Sequence, residues 1–164
     1  MDVGLRGYKA RHNLAVLCQE EGRPAEAERH WQAALAEQSH FTPALLGLGE
    51  VYLTQQRWTD LEQLAARLGG QGLAVEGEVL EARALLARKQ FQAARLLLEE
   101  VIAGHPEAAY PWVILSHVLL QEGKDWGGAE HVLRQIIHRD PQHREAWHNL
   151  NTLLHQKGRR GLAG

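Results

Sequence analysis

Apolar residues recur along this chain at spacings of three and four, and the blocks themselves recur every 33 to 35 residues: Ala27-x3-Trp31, Leu61-x3-Ala65, Ala94-x3-Leu98 and Ala129-x3-Leu133. The half-unit before each block repeats in phase, as Arg11-x2-Leu14-Ala15-x2-Cys18, Leu45-x2-Leu48-Gly49-x2-Tyr52, Trp112-x2-Leu115-Ser116-x2-Leu119 and Trp147-x2-Leu150-Asn151-x2-Leu154. Residues three and four apart share one face of a helix, so each set is a stripe that must be buried against a neighbour. The small residues Ala15, Gly49, Ala82 and Ser116 in the first helices, and Ala27, Ala94 and Ala129 in the second, stand where two helices must cross closely.

The pattern predicts nine helices: Tyr8 to Glu21, Pro24 to Gln38, Thr42 to Gln55, Trp58 to Leu68, Leu73 to Arg88, Phe91 to Ala103, Glu107 to Glu122, Trp126 to Arg139 and His143 to Lys157. Thr42 reads as a cap with Pro43 at the first helical position, where proline's fixed φ helps and its missing N–H is harmless. Gly69-Gly70-Gln71-Gly72 reads as a break, and Gly77 as a weak point costing its helix up to about 1 kcal/mol relative to alanine. His105-Pro106 and Asp140-Pro141 end the third and fourth pairs, and one extra residue falls in the turn from Gly123 to Gly128. The ninth helix has no partner and is expected to cap the last apolar face.

These residues resemble the tetratricopeptide repeat, a helix-turn-helix unit of about 34 residues with the signature W-x2-L-G-x2-Y, then A-x3-F, then P. The resemblance implies an all-α fold, a right-handed α-α superhelix of about four helix pairs plus a C-terminal capping helix. It places the repeats near 8–41, 42–74, 75–108 and 109–143, with the terminal helix at 144–158, in a single domain over residues 1–164. It also implies a concave groove that binds a protein or peptide. Carried over position by position, the groove residues are Lys9, His12, Val16 and Gln19; Leu46, Glu50 and Leu53; Val79, Arg83 and Leu86; and Tyr110, Val113, His117 and Leu120. Family members that clamp the acidic tails of chaperones need lysines and asparagines where this chain has His12, Val16, Gly47, Glu76 and Leu80, so a chaperone carboxylate clamp is not expected.

Composition adds exclusions. The chain has 164 residues, 45% hydrophobic and 23% charged, and a formal net charge of −2, which gives no electrostatic case for nucleic acid. No apolar run approaches the roughly 18 residues of a membrane span. Met1 to Arg6 has neither the basic nor the apolar region of a secretory signal, so a cytoplasmic protein is expected. The single cysteine, Cys18, lies on the buried stripe and reads as packing; Lys157, Arg159 and Arg160 read as a solvated helix end favoured by the helix dipole.

Candidate chemistry dissolves on these helices. None of the ten histidines pairs at i, i+4; His131/His138 and His148/His155 are seven apart, roughly 10 Å along a helix, too far for one ion. That leaves His117 with His148 or His155 as the only cross-helix metal candidate. Ser116-His117 point about 100° apart, with Ser116 at a crossing position, which does not suit a nucleophile and base. Gly47-x-Gly49 lacks the strand and lysine of a nucleotide fingerprint, and Glu20-Glu21 and Glu99-Glu100 read as solvated faces. No catalytic residue, metal or cofactor is expected.

The stretch from Gly4 to Ala15, GLRGYKARHNLA, with the repeats after it, is similar to the tetratricopeptide tail of bacterial family 2 glycosyltransferases. Those enzymes hold metal and nucleotide sugar with Asp-x-Asp, whereas Asp2, Asp60, Asp125 and Asp140 are isolated here, so the catalytic half is absent. The leading reading is a non-catalytic scaffold that binds a protein or peptide. The alternative is the accessory domain of such an enzyme, positioning an acceptor or mediating self-association as a homo-oligomer.

Overall fold

A computed structural model describes residues 7–162; the residues Met1 to Arg6, including Asp2 and the start of the Gly4–Ala15 stretch, lie outside it. Among the described residues there are nine helices and no strand: α1 (Tyr8–Glu20), α2 (Pro24–Glu37), α3 (Thr42–Thr54), α4 (Trp58–Gly70), α5 (Ala74–Ala87), α6 (Phe91–Gly104), α7 (Tyr110–Glu122), α8 (Trp126–Arg139) and α9 (Arg144–Leu162). They fall into two compact units that divide within α5, between Leu80 and Glu81.

Within the first unit, α1 packs on α2, α2 on α3 and α3 on α4; within the second, α6 packs on α7, α7 on α8 and α8 on α9. The core is built from the stripes foreseen from the spacing, except at the two ends of the array, where Leu14 in α1 and Trp147, Asn151 and Leu154 in α9 are exposed because no described helix lies against them. Ala15, Ala27, Ala82, Ala94 and Ala129 are fully buried at the helix crossings, and Leu45, Leu61, Leu98 and Leu133 fill the space between them. Cys18 is buried with them, as a packing residue would be.

Glycine supplies two approaches that no other residue permits. A Cβ on Gly47 would lie 2.4 Å from the ring of Trp31, which is 3% exposed, so α3 reaches α2 only because position 47 is bare. A Cβ on Gly77 would meet the carbonyl oxygen of Ala65 at 2.6 Å. The weak point in α5 is thus where its backbone lies against α4.

The turns between paired helices repeat as faithfully as the helices. Gly22, Gln56, Lys89 and Gly123 all take positive φ, at 73°, 56°, 61° and 69°. In the first three turns the next N–H reaches back five residues, Arg23 to Cys18, Arg57 to Tyr52 and Gln90 to Leu85, closing a Schellman motif. The extra residue in the fourth turn changes the closure: the Gly123 N–H bonds to Leu119, four residues back.

Four boundaries depart from the sequence reading. Thr42 is the first helical residue of α3, behind Phe41, and makes no side-chain cap; Pro43 is therefore the second. Gly69 and Gly70 remain helical, and the stop falls at Gly72 with φ 81°, where Leu73 bonds back to Leu68. Helix α7 starts at Tyr110, three residues late, because residues 107–109 form the turn after Pro106. Helix α9 runs to Leu162 through Gly158.

Gly69 has open space where a Cβ would stand, so Gly69→Ala should stabilise the protein by about 0.5–1 kcal/mol through helix propensity. Gly77→Ala gains the same propensity but must push two backbones apart, and should destabilise by about 1–3 kcal/mol. Denaturation midpoints of the two variants, moving in opposite directions, check the assignment.

Candidate partner-binding faces and clefts

In the first unit, α1 and α3 lie side by side and carry the expected groove residues. Lys9, Leu46 and Glu50 are exposed, and Val16 and Leu53 half-buried. His12 is tied down: its Nδ1 accepts a hydrogen bond from Trp31 Nε1 at 3.0 Å and its ring stands edge-on to Phe41, with centroids 5.5 Å apart. Tyr8 meets the same Phe41 ring at 4.9 Å. This end of the face is an ordered aromatic cluster, held because the Trp31 ring sits over Gly47. On α5, Val79 is 2% exposed and packs inside, whereas Arg83 and Leu86 are half-buried.

In the second unit the face is built by α7 and α9. Tyr110, at the first position of α7, is 51% exposed. Val113, His117 and Leu120 follow on the same stripe, half-buried. His117 Nε2 contacts Glu145 of α9, joining the two helices across the face. That carboxylate, and not His148 or His155, is the cross-helix partner of His117. Among the described residues no group of three or more histidine, cysteine, aspartate or glutamate side chains is placed to hold a metal. Ser116 is 1% exposed and its hydroxyl donates to the Val113 carbonyl at 2.6 Å.

Each unit also has a cleft where its second helices part, and the two clefts are repeat-equivalent. One, about 370 Å³, has Leu35, Leu48 and Leu64 in its walls; the other, about 270 Å³, has Ile102, Leu115 and Val132 at the corresponding positions. An ion pair stands near one end of each. Arg57 donates to both carboxylate oxygens of Glu28 in the first unit, and Arg95 pairs with Asp125 at 3.0 Å in the second. Glu28 and Arg95 each follow the small crossing residue of their helix, Ala27 and Ala94, so one strut recurs with its charges reversed. Polar side chains hold the turn carbonyl elsewhere in each unit: Gln71 and Arg67 bond to Ser39 O in one, Arg139 to Pro106 O in the other.

Two tetratricopeptide-repeat models match the sequence, over residues 13–68 and 85–154. This chain belongs to the tetratricopeptide-repeat family. Similar solved structures include MamA, residues 41 to the end, from Desulfovibrio magneticus RS-1, at 18% identity and a TM-score of 0.62 over 92% of this chain and 85% of that one. Another is YrrB, described as a tetratricopeptide-repeat protein with an unusual peptide-binding site, at 18% identity and a TM-score of 0.54 over 92% of this chain and 77% of that one. These likenesses show the fold, an all-α helical-repeat solenoid. No curated relative matches the chain significantly.

Against the tetratricopeptide signature, Cys18 stands for the aromatic of the first repeat and Asn151 for the small residue of the last helix. No helix of the described residues is long and apolar enough to cross a membrane. The basic cluster at the end of α9 is partly engaged: Lys157 Nζ lies 3.3 Å from Glu130, and the Arg160 guanidinium 5.7 Å from the Trp126 ring centre. The struts and Glu145 were not singled out from the sequence, although position one after the small crossing residue is where the period would have found the struts.

Among the described residues two helix starts carry a side-chain cap: His143 Nδ1 accepts the Ala146 N–H at 3.1 Å ahead of α9, and Asp125 accepts the Gly128 N–H at 2.8 Å ahead of α8, where any Cβ on Gly128 would crowd the carboxylate. That N–H first, and Arg95 second, hold its carboxyl below the usual aspartate range. A lowered folded-state value means the stabilisation is present above the unfolded-state value and is lost as pH falls through the folded-state one. Asp125→Ala should cost about 1 kcal/mol near neutral pH and Asp125→Asn less because an amide oxygen still caps; in acid the Asn difference should fall toward zero and the Ala difference should shrink to that of a neutral cap, because the protonated carboxyl still accepts the Gly128 N–H. Thermal melts of the three proteins across the acidic range check this.

Proposed function

We propose that this protein is a non-catalytic scaffold that binds a peptide or protein segment along the first-helix face of its repeats, in the groove expected from the sequence. The observation that carries the reading is Tyr110. A tyrosine half exposed at the start of a helix, two turns before the His117–Glu145 pair on the stripe that also carries the apolar Val113 and Leu120, is an amphipathic anchor with polar groups farther along the same face. Interface energy concentrates in such aromatic residues. An extended segment fits this face, with its amides meeting His117 and Glu145 and its apolar side chains meeting Val113 and Leu120. The peptide-binding site named for YrrB lends support by analogy of fold alone.

The reading takes residues 1–164 as one interaction domain in the cytoplasm, with no chaperone carboxylate clamp. An accessory role beside a glycosyltransferase catalytic domain is compatible with it, the helical repeats then engaging the acceptor or a second copy.

Tyr110→Ala should weaken binding of a peptide selected against the parent protein by more than about 1 kcal/mol, roughly fivefold or more, with an unchanged melting curve. Leu96→Ala, an exposed position on a second helix, should leave binding unchanged. Calorimetric titration of both variants makes the test, and equal affinities would move the site off the first-helix face.

A further inference from the structure

The first helices differ in which of their signature residues are covered. Leu48, Leu115 and Leu150 are buried, while their equivalent Leu14 is 42% exposed in α1, the one first helix with no described helix before it. That position is therefore covered by the preceding pair. Cys18, Tyr52 and Leu119 are also buried, while their equivalent Leu154 is 37% exposed in α9, which no described helix follows. That position is covered by the second helix of its own repeat. Trp147, in the phase of the buried Leu45 and of the half-buried Trp112, whose ring Arg139 of α8 covers at 4.7 Å, is likewise 43% exposed, its Nε1 held by the Pro141 carbonyl at 2.7 Å. Helix α9 thus presents the face that α7 buries under α8. It also runs straight through Gly158, the position at which each earlier pair turns back on a positive φ.

The chemistry of this face differs from that of the buried ones. Where Ala15, Gly49, Ala82 and Ser116 stand at the crossings, α9 has the exposed carboxamide Asn151. Arg144, His148, His155 and Arg159 are exposed around it. Glu145, the one acid on α9, is engaged by His117. A helix that covers Trp147 and Leu154 must therefore satisfy the amide of Asn151 and meet positive charge at its edges. The chain's own second helices cross with alanine at Ala27, Ala94 and Ala129 and do not supply that group.

We propose that the exposed face of α9 is a second docking site, for an acidic amphipathic helix of a partner protein. The partner's apolar stripe would cover Trp147 and Leu154, a carboxylate at its crossing position would accept from Asn151, and further carboxylates would lie along Arg144 and Arg159. The site is separate from the face that holds Tyr110, and stands or falls independently of it.

The test uses the 164-residue chain and two synthetic, fluorescein-labelled helical peptides with leucine at i, i+3 and i+7. One carries glutamate at the crossing and flanking positions, the other lysine. Anisotropy should show the glutamate peptide binding at least about tenfold more tightly than the lysine peptide, with the difference shrinking as salt is raised. Trp147→Ala, Leu154→Ser and Asn151→Leu should each weaken the glutamate peptide about fivefold or more, with helix content and melting unchanged, while Tyr110→Ala should leave it unaffected. Equal binding of the two peptides, parent-like affinity in all three α9 variants, or no binding at all would overturn the proposal. So would a dimer by light scattering that Leu154→Ser dissolves, because the occupant would then be a second copy of the chain.

Discussion

Everything in this protein depends on helices approaching to within a backbone's reach of each other. Side chains keep packed helices roughly 8–10 Å apart, and shorter approaches require positions with little or no side chain. Gly47 beneath Trp31 and Gly77 against the Ala65 carbonyl are the tightest of these approaches, and the buried alanines at the other crossings relax the same requirement by one methyl group. The approach sets where the large residues go. Leucines fill the spaces beside each crossing, and the positions left facing outward become the first-helix faces and the clefts between second helices.

Burial at these crossings leaves little room for polar groups, so the polar interactions that specify register sit at the margins. The struts Glu28–Arg57 and Arg95–Asp125 and the side chains reaching Ser39 and Pro106 fix how far one repeat turns relative to the next within each unit. Their contribution to stability is modest, because all are partly solvated. The reversal of charge between equivalent struts means that a misplaced α2 would set Glu28 against Asp125, a penalty on wrong pairings between near-identical repeats.

Much of this was legible in the sequence because the period carries it. A stripe of apolar residues with a small residue at a fixed place identifies both helices of a pair, and eight of the nine helices begin within a residue or so of where the spacing puts them. The failures have local causes. Gly69 and Gly70 read as a break because glycine disfavours helix, yet the energetic cost of two glycines in a last turn is smaller than the gain from closing the Schellman motif at Gly72. Helix α9 runs past its expected end through Gly158, with no described helix folding back on it. The faces were harder to read. His12 was placed on the groove by register, but no spacing rule reveals that a tryptophan nineteen residues later donates to its Nδ1. The pairing of His117 with Glu145 joins two repeats and leaves no mark in either one alone.

Amide chemical-shift mapping of the isotopically labelled chain, titrated with a peptide selected for binding, tests the functional account most directly. The account predicts that perturbations concentrate along α7 from Tyr110 to Leu120 and at Glu145, with the second-helix positions that wall the clefts little changed. Shifts centred instead on Leu35, Leu64, Ile102 and Val132 would place the ligand in the clefts and contradict it.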